Sequence, residues 1–207
     1  MKRAYSPKEI MRRSYKTLPW VGRWQECFGS PEESACWFIS GASANGKSSF
    51  VMQLAHELTN YGSVLYLSYE ELLNQSFQER MVRYEMDRKQ GLFRVVTTDT
   101  LDELRLRLKK KHSPKFIIVD SFQMSQWTYP DTERLVREEF PRKCFIFISQ
   151  EQRGNPLGKA ALRLKYLADV KVRVMGFRAY CQGRFSPAAG NSYVVWEDGV
   201  IKTTNNI

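Results

Sequence analysis

The chain has no apolar run approaching the ~18 residues that a bilayer-spanning helix needs. Its opening stretch, MKRAYSPKEIMRRSYK, lacks the apolar middle of a secretory signal. Neither a membrane span nor export is therefore expected. Cysteine is scarce too, with four residues and no Cys-x-x-Cys spacing, so a zinc cluster is not expected. Cys36 and Cys144 lie in apolar, strand-like runs where a thiol reads as a small buried hydrophobe, and a reducing cytoplasm fits best. His56 falls inside a helical stretch and His112 at a Lys-rich helix end, so neither suggests a metal site. Acidic residues are in deficit: 22 Asp and Glu against 32 Lys and Arg give a formal charge of +10. Such an excess commonly answers a polyanionic partner, nucleic acid or an anionic surface.

At 207 residues and 43% hydrophobic, the chain can bury one sizeable core, and two are not expected. Residues 1–16 are basic and polar, an exposed helix or flexible arm opened by Ser6-Pro7, and residues 17–207 form the domain. From Ala35 onward, apolar runs of strand length alternate with amphipathic runs of helical length, which predicts an α/β fold with a mostly parallel central sheet flanked by helices. Strands are expected at 35–40, 63–68, 92–96, 115–120 and 144–149, and helices at 47–60, 71–89, 101–111, 132–140 and 159–168. Three further strands, 170–175, 177–185 and 193–196, follow with little helix between them, so the C-terminal edge is expected to be antiparallel. The chain shows no internal repeat and no low-complexity segment.

Between the first strand and the first helix stands Gly41-Ala42-Ser43-Ala44-Asn45-Gly46-Lys47-Ser48, followed by Ser49. It fits G-x-x-x-x-G-K-[ST] completely, in the strand-to-helix setting the chemistry requires. Backbone N–H groups of such a loop, with the helix N-terminus, cradle phosphates; Lys47 neutralises the β and γ phosphates of ATP, and the Ser48 hydroxyl can ligate Mg²⁺. A second acid is needed at a strand tip to hold the metal's water shell, and Asp120, ending FIIVD, supplies one. Hydrolysis also needs a group that deprotonates the attacking water. The SVLYLS strand delivers Glu70 and Glu71 to the same sheet edge, and one of them is the expected base.

Together these residues resemble the RecA-like ATPases, and within them the core shared by DnaB-type replicative helicases and bacterial RadA-type recombination ATPases, over roughly residues 17–198. Several roles are implied by that resemblance. Ser68-Tyr69-Glu70 matches the family's acid at the end of the second core strand, pointing to Glu70 as the catalytic carboxylate. Ile148-Ser149-Gln150 looks like its polar sensor, with Gln150 set to feel the γ-phosphate and move the loop that follows. Residues 151–159 (EQRGNPLGK) fall at the family's second DNA-binding loop, where Arg153 and Lys159 are the natural phosphate contacts. Residues 123–131 fall at its first, where Trp127 and Tyr129 either stack on unpaired bases or pack beneath the domain. Gln182-Gly183-Arg184-Phe185 resembles the segment that reaches a neighbour's nucleotide, making Arg184 the candidate arginine finger, with Arg178 and Lys159 as rivals. The helicases' N-terminal helical domain and the RadA zinc cluster and protease-like domain have no counterpart here, so partner loading and processive unwinding are not implied.

The expected function is a Mg²⁺-dependent, DNA-stimulated ATPase, acting on DNA that is single-stranded, as a ring or filament of like subunits with ATP between them. Two other readings compete with it. One is a regulatory RecA-like ATPase whose nucleotide state controls a protein partner. The other is a small-molecule P-loop kinase, for which the segment 80–94 resembles a basic lid but in which Gln150 has no obvious task.

Overall fold

The computed structural model describes residues 3–185 and 191–204; Met1 and Lys2 of the expected arm lie outside the described residues. Ser6 opens the first helix, α1 (Pro7–Met11), by a reciprocal cap with Glu9, and no residue of that helix is buried. The chain enters the core at Leu18 and Trp20 and continues through α2 (Arg23–Phe28), β1 (Trp37–Gly41), α3 (Lys47–Leu58), β2 (Val64–Ser68) and α4 (Gln75–Arg83). Next come β3 (Phe93–Val96), α5 (Leu101–Leu108), β4 (Phe116–Asp120), α6 (Phe122–Ser125) and α7 (Tyr129–Arg134). The remainder is β5 (Cys144–Gln152), β6 (Asn155–Pro156), α8 (Lys159–Leu167), β7 (Val170–Met175), β8 (Arg178–Cys181), β9 (Ser192–Val194) and α9 (Glu197–Thr204).

The strands form one sheet in the order β3-β2-β4-β5-β1-β7-β8-β9. All pairs from β3 to β7 are parallel, and β8 and β9 close the edge antiparallel. Both faces of the central strands are buried, as helical layers on a parallel sheet require. Alternate residues divide between the faces: Trp37, Ile39, Ile146 and Ile148 join one apolar cluster, while Phe38, Phe145 and Phe147 join the other. Cys36 and Cys144 are buried as expected.

The main departures from the sequence pattern are local. The helix expected over 71–89 is broken. Leu72 takes a left-handed φ of 58°, Asn74 caps Phe77 to start α4 late, and left-handed Glu85, φ 51°, ends it before a 3₁₀ turn at Met86–Lys89. α2, not foreseen, lays Trp24 and Phe28 against Trp20, Phe50 and Tyr193. In place of an irregular loop after residue 150, β5 continues to Gln152 and pairs with β6 as a tight hairpin. Its two tip residues, Arg153 and Gly154, are both left-handed, at φ 51° and 80°.

Candidate active site

Register brings the sequence-predicted residues to one edge. Gly41 pairs with Gln150 and Ser68 with Asp120, so the ends of β1, β5, β2 and β4 present the glycine loop, Gln150, Glu70 and Asp120 side by side. Residues Gly41 to Ser49 run from the end of β1 into the first turn of α3. At Gly41 a Cβ would stand 2.2 Å from the Val174 carbonyl oxygen, so only glycine lets β1 and β7 approach there. Gly46 is left-handed, φ 92°, which turns the chain into α3. Asn45 fastens the loop from within and without: its Nδ2 donates to the Ser43 carbonyl at 2.9 Å, and its Oδ1 accepts from the Gly176 amide at 2.8 Å.

Lys47 Nζ donates to the Ala42 carbonyl at 2.8 Å, its amine folded back over the loop. Burial pulls the pKa of Lys47 down, and Glu70, Asp120 and Glu151 oppose that pull. The amine therefore already feels the negative charge of three carboxylates.

Asp120 is 6% exposed, and one of its oxygens accepts from the Tyr66 hydroxyl. Burial pushes its carboxyl up to about 6, the Tyr66 hydrogen bond works in the opposite direction, and neighbouring Glu70 and Glu71 add to the rise. The adjoining Asp120–Ser121 peptide is cis, and the Ser121 hydroxyl is buried with no hydrogen-bond partner among the described residues. A buried, half-satisfied carboxylate beside an orphaned hydroxyl fits a hydrated cation, and with the Ser48 hydroxyl on α3 these groups would hold Mg²⁺.

The two adjacent glutamates separate cleanly. Glu71 accepts two hydrogen bonds from Arg80, at 2.6 and 3.0 Å, a bidentate pair committed to holding α4. Glu70 is exposed and accepts from Gln150 Nε2 at 2.8 Å. The Glu70 amide also donates to the Asp120 carbonyl at 3.1 Å, which fixes its position against β4.

Three contacts were not legible in the sequence. Tyr66 reaches Asp120 because positions on β2 and β4 stand in register. Glu151, expected to open a DNA-facing loop, turns inward: its side chain is 2% exposed, accepting from Ser40 Oγ at 2.8 Å and Arg173 Nε at 3.1 Å. Gln123 donates to Ser149 Oγ at 2.8 Å and the Leu157 carbonyl at 2.9 Å, tying α6 to the hairpin. The inward turn of Glu151 follows from the continued alternation of β5, which a Gly-rich polar stretch conceals.

The peripheral candidates scatter. Trp127 is 8% exposed and packs edge-on against Tyr69 and Phe147, so of the two placements open to it the structure takes the packed one. Tyr129 is half-buried beside Arg163. Arg153 at the hairpin tip and Lys159 at the start of α8 are exposed. Arg178 lies on β8, opposite Met175, with a 3.3 Å bond to Ser192. Arg184 is 73% exposed and pairs with Asp169 at 3.5 Å, next to the start of β7 and away from its own glycine loop. A cavity of about 340 Å³ opens beside Ser49, walled by Arg83, Tyr84, Phe177 and Trp196.

A glycine loop between a buried strand and a helix, with acids at neighbouring strand tips of a mostly parallel sheet closed by an antiparallel edge, defines a RecA-like NTPase fold. Among solved structures, the flagellar accessory protein FlaH from Methanocaldococcus jannaschii is similar, at a TM-score of 0.63 and 17% identity over 86% of this chain and 93% of that one. No protein-family model matches the chain, and no curated protein sequence matches it. With 613 solved chains resembling it, the likeness speaks for the fold and selects no particular function. Among the described residues, no helix is long and apolar enough to cross a membrane.

Proposed function

We propose that the chain binds ATP with Mg²⁺ and hydrolyses it, in an oligomer with the nucleotide between subunits, to act on DNA. The observation that carries the catalytic part is the contact of Gln150 with Glu70 beside Lys47. Glu70 is exposed, held by a neutral amide, and placed to take a proton from water attacking the terminal phosphate. Lys47 stabilises charge on the phosphoryl oxygens. Ser48 and Asp120 would hold Mg²⁺, which would supply further neutralisation of that charge. The cavity beside Ser49 suits the base, with Tyr84, Phe177 and Trp196 as aromatic walls.

Gln150 also begins the stretch of β5 that becomes the hairpin. Breaking its bond to Glu70 as nucleotide arrives would shift the strand end that carries Arg153. The net charge of +10 and exposed Arg153 and Lys159 support DNA as the element sensed there. In this reading Arg184, exposed and paired with Asp169, would reach a neighbour's nucleotide rather than its own.

A regulatory ATPase controlling a protein is the second reading, and two observations favour it. Trp127 is removed from the surface, while Met124 and Leu157, 54% and 42% exposed, offer apolar contacts on the α6 and hairpin side. ATP hydrolysis measured with and without single-stranded DNA at two salt concentrations separates the two. Stimulation by DNA that weakens with salt supports the DNA reading; turnover indifferent to DNA transfers the function to a protein partner.

A further inference from the structure

A second cavity, of about 420 Å³, lies at the opposite end of the sheet from the glycine loop. It is walled by Ser63 to Leu65 at the start of β2, by Gly91, Leu92 and Arg94 around the start of β3, by Arg107 at the end of α5 and Lys110 just beyond it, and by His112 to Pro114 ahead of β4. Among the described residues, no carboxylate lines it. The surrounding sequence explains this: Arg105, Arg107, Lys109, Lys110, Lys111 and Lys115 fall between Leu104 and Val119 without a single Asp or Glu.

Lysines at a helix C-terminus complement the helix dipole, and that suffices for Lys109 to Lys111. It does not account for Arg94, which comes from a different element, or for a concave site gathering cations from two segments, β3 and the end of α5. Arg107 is shared with Asp99 through bonds of 2.8 and 3.0 Å. Arg94 and Lys110 are exposed and form no ion pair among the described residues. Two cations without ion pairs lining a hollow of about 420 Å³, with Arg107 as a third, match a phosphate better than a carboxylate-bearing peptide, because a phosphate presents several acceptor oxygens and up to two charges in one small group.

We infer that this cavity is a second anion site, taking a phosphate group either from a nucleic-acid backbone or from a free phosphorylated molecule. β2 runs from Val64 at the cavity to Ser68 beside Asp120, about 13 Å of strand, so the site is separate from the glycine loop and stands apart from the ATPase reading. Lys109 and Lys111 extend the positive surface beyond the rim, where the flanking phosphates of a strand would lie.

The test uses the full chain carrying Lys47→Ala, which weakens phosphate binding at the glycine loop. Binding of a labelled oligo-dT and of inorganic pyrophosphate is measured across a salt series, before and after adding Arg94→Ala with Lys110→Ala. A loss of roughly tenfold or more for at least one probe, with the salt slope falling by about 2, is expected. Loss confined to oligo-dT assigns a nucleic-acid backbone, and loss confined to pyrophosphate assigns a small phosphorylated ligand. Lys109→Ala with Lys111→Ala serves as the rim control and should cost less. The inference is overturned if neither probe binds, if binding ignores the Arg94 and Lys110 changes while the melting temperature is unchanged, or if the rim pair costs as much as the cavity pair.

Discussion

Gln150 Nε2 donates to Glu70 Oε1 at 2.8 Å, joining β5 near its C-terminal end to the residues just after β2, across the intervening tip of β4. The bond places Gln150, the proposed nucleotide sensor, directly on the carboxylate proposed to activate water, and in that proposal γ-phosphate binding and base orientation become one event. Gln150→Ala should then lower kcat by about 10-fold or more while ATP affinity changes little, since the loss falls on base positioning. A change confined to KM would place Gln150 in ground-state binding instead.

Glu71 and Glu70 should respond differently to the same chemical change. Glu71→Gln leaves Arg80, whose side chain is 13% exposed, without its charge partner and should cost about 1–2 kcal/mol of stability, with turnover kept within a few fold. Thermal melting and ATPase assays on the two single variants read this directly; loss of turnover without loss of stability in Glu71→Gln would reverse the assignment.

Asp120 carries a pH signature. Its folded pKa, raised to about 6 chiefly by burial, stands above the ordinary carboxylate value of 3.8, so between these values the folded state holds the proton that the unfolded state releases. The ligand-free protein therefore loses stability as pH rises from about 4 to about 6, on the order of 3 kcal/mol in all, and stays level above. Asp120→Asn should flatten that slope and abolish stabilisation by Mg²⁺ with ATP. Melting curves from pH 4 to 8 that rise through this window would contradict the assignment.

Gly41→Ala should destabilise the protein by about 1–3 kcal/mol, because its Cβ would meet the Val174 carbonyl at 2.2 Å and push β1 from β7. Nucleotide binding should fall with it, since Lys47 hangs from the same loop. Unchanged denaturant midpoints would show that the strands can part without cost.

Trp127→Ala should cost about 3–5 kcal/mol through the void left against Tyr69 and Phe147. If it instead weakened single-stranded DNA binding with stability intact, the ring would have to leave its packed position to stack on bases.

The glycine loop, Asp120 and the strand order's parallel character were legible because each depends on local spacing and on apolar runs of five or so residues. What stayed hidden depends on tertiary register or on uncommon backbone. Nothing in VLYLS announces that Tyr66 will meet Asp120, nor in EQRGNP that Glu151 continues a strand alternation and turns inward to Ser40. The hairpin tip uses Arg153 where Asn or Asp ordinarily marks such a turn, and left-handed Glu85 ends α4 within a run whose apolar spacing still reads as helix. Asn74 was the available signal for the late helix start, since its side chain caps the amide three residues on.

The most direct test of the account is ATP turnover by the wild type, Lys47→Ala and Glu70→Gln, with ATP binding followed in parallel by thermal shift. Glu70→Gln should bind ATP yet hydrolyse it about 10²- to 10⁴-fold more slowly, and Lys47→Ala should lose both binding and turnover. Wild-type rates in Glu70→Gln would contradict the role given to the carboxylate, and wild-type rates in Lys47→Ala would contradict the site itself.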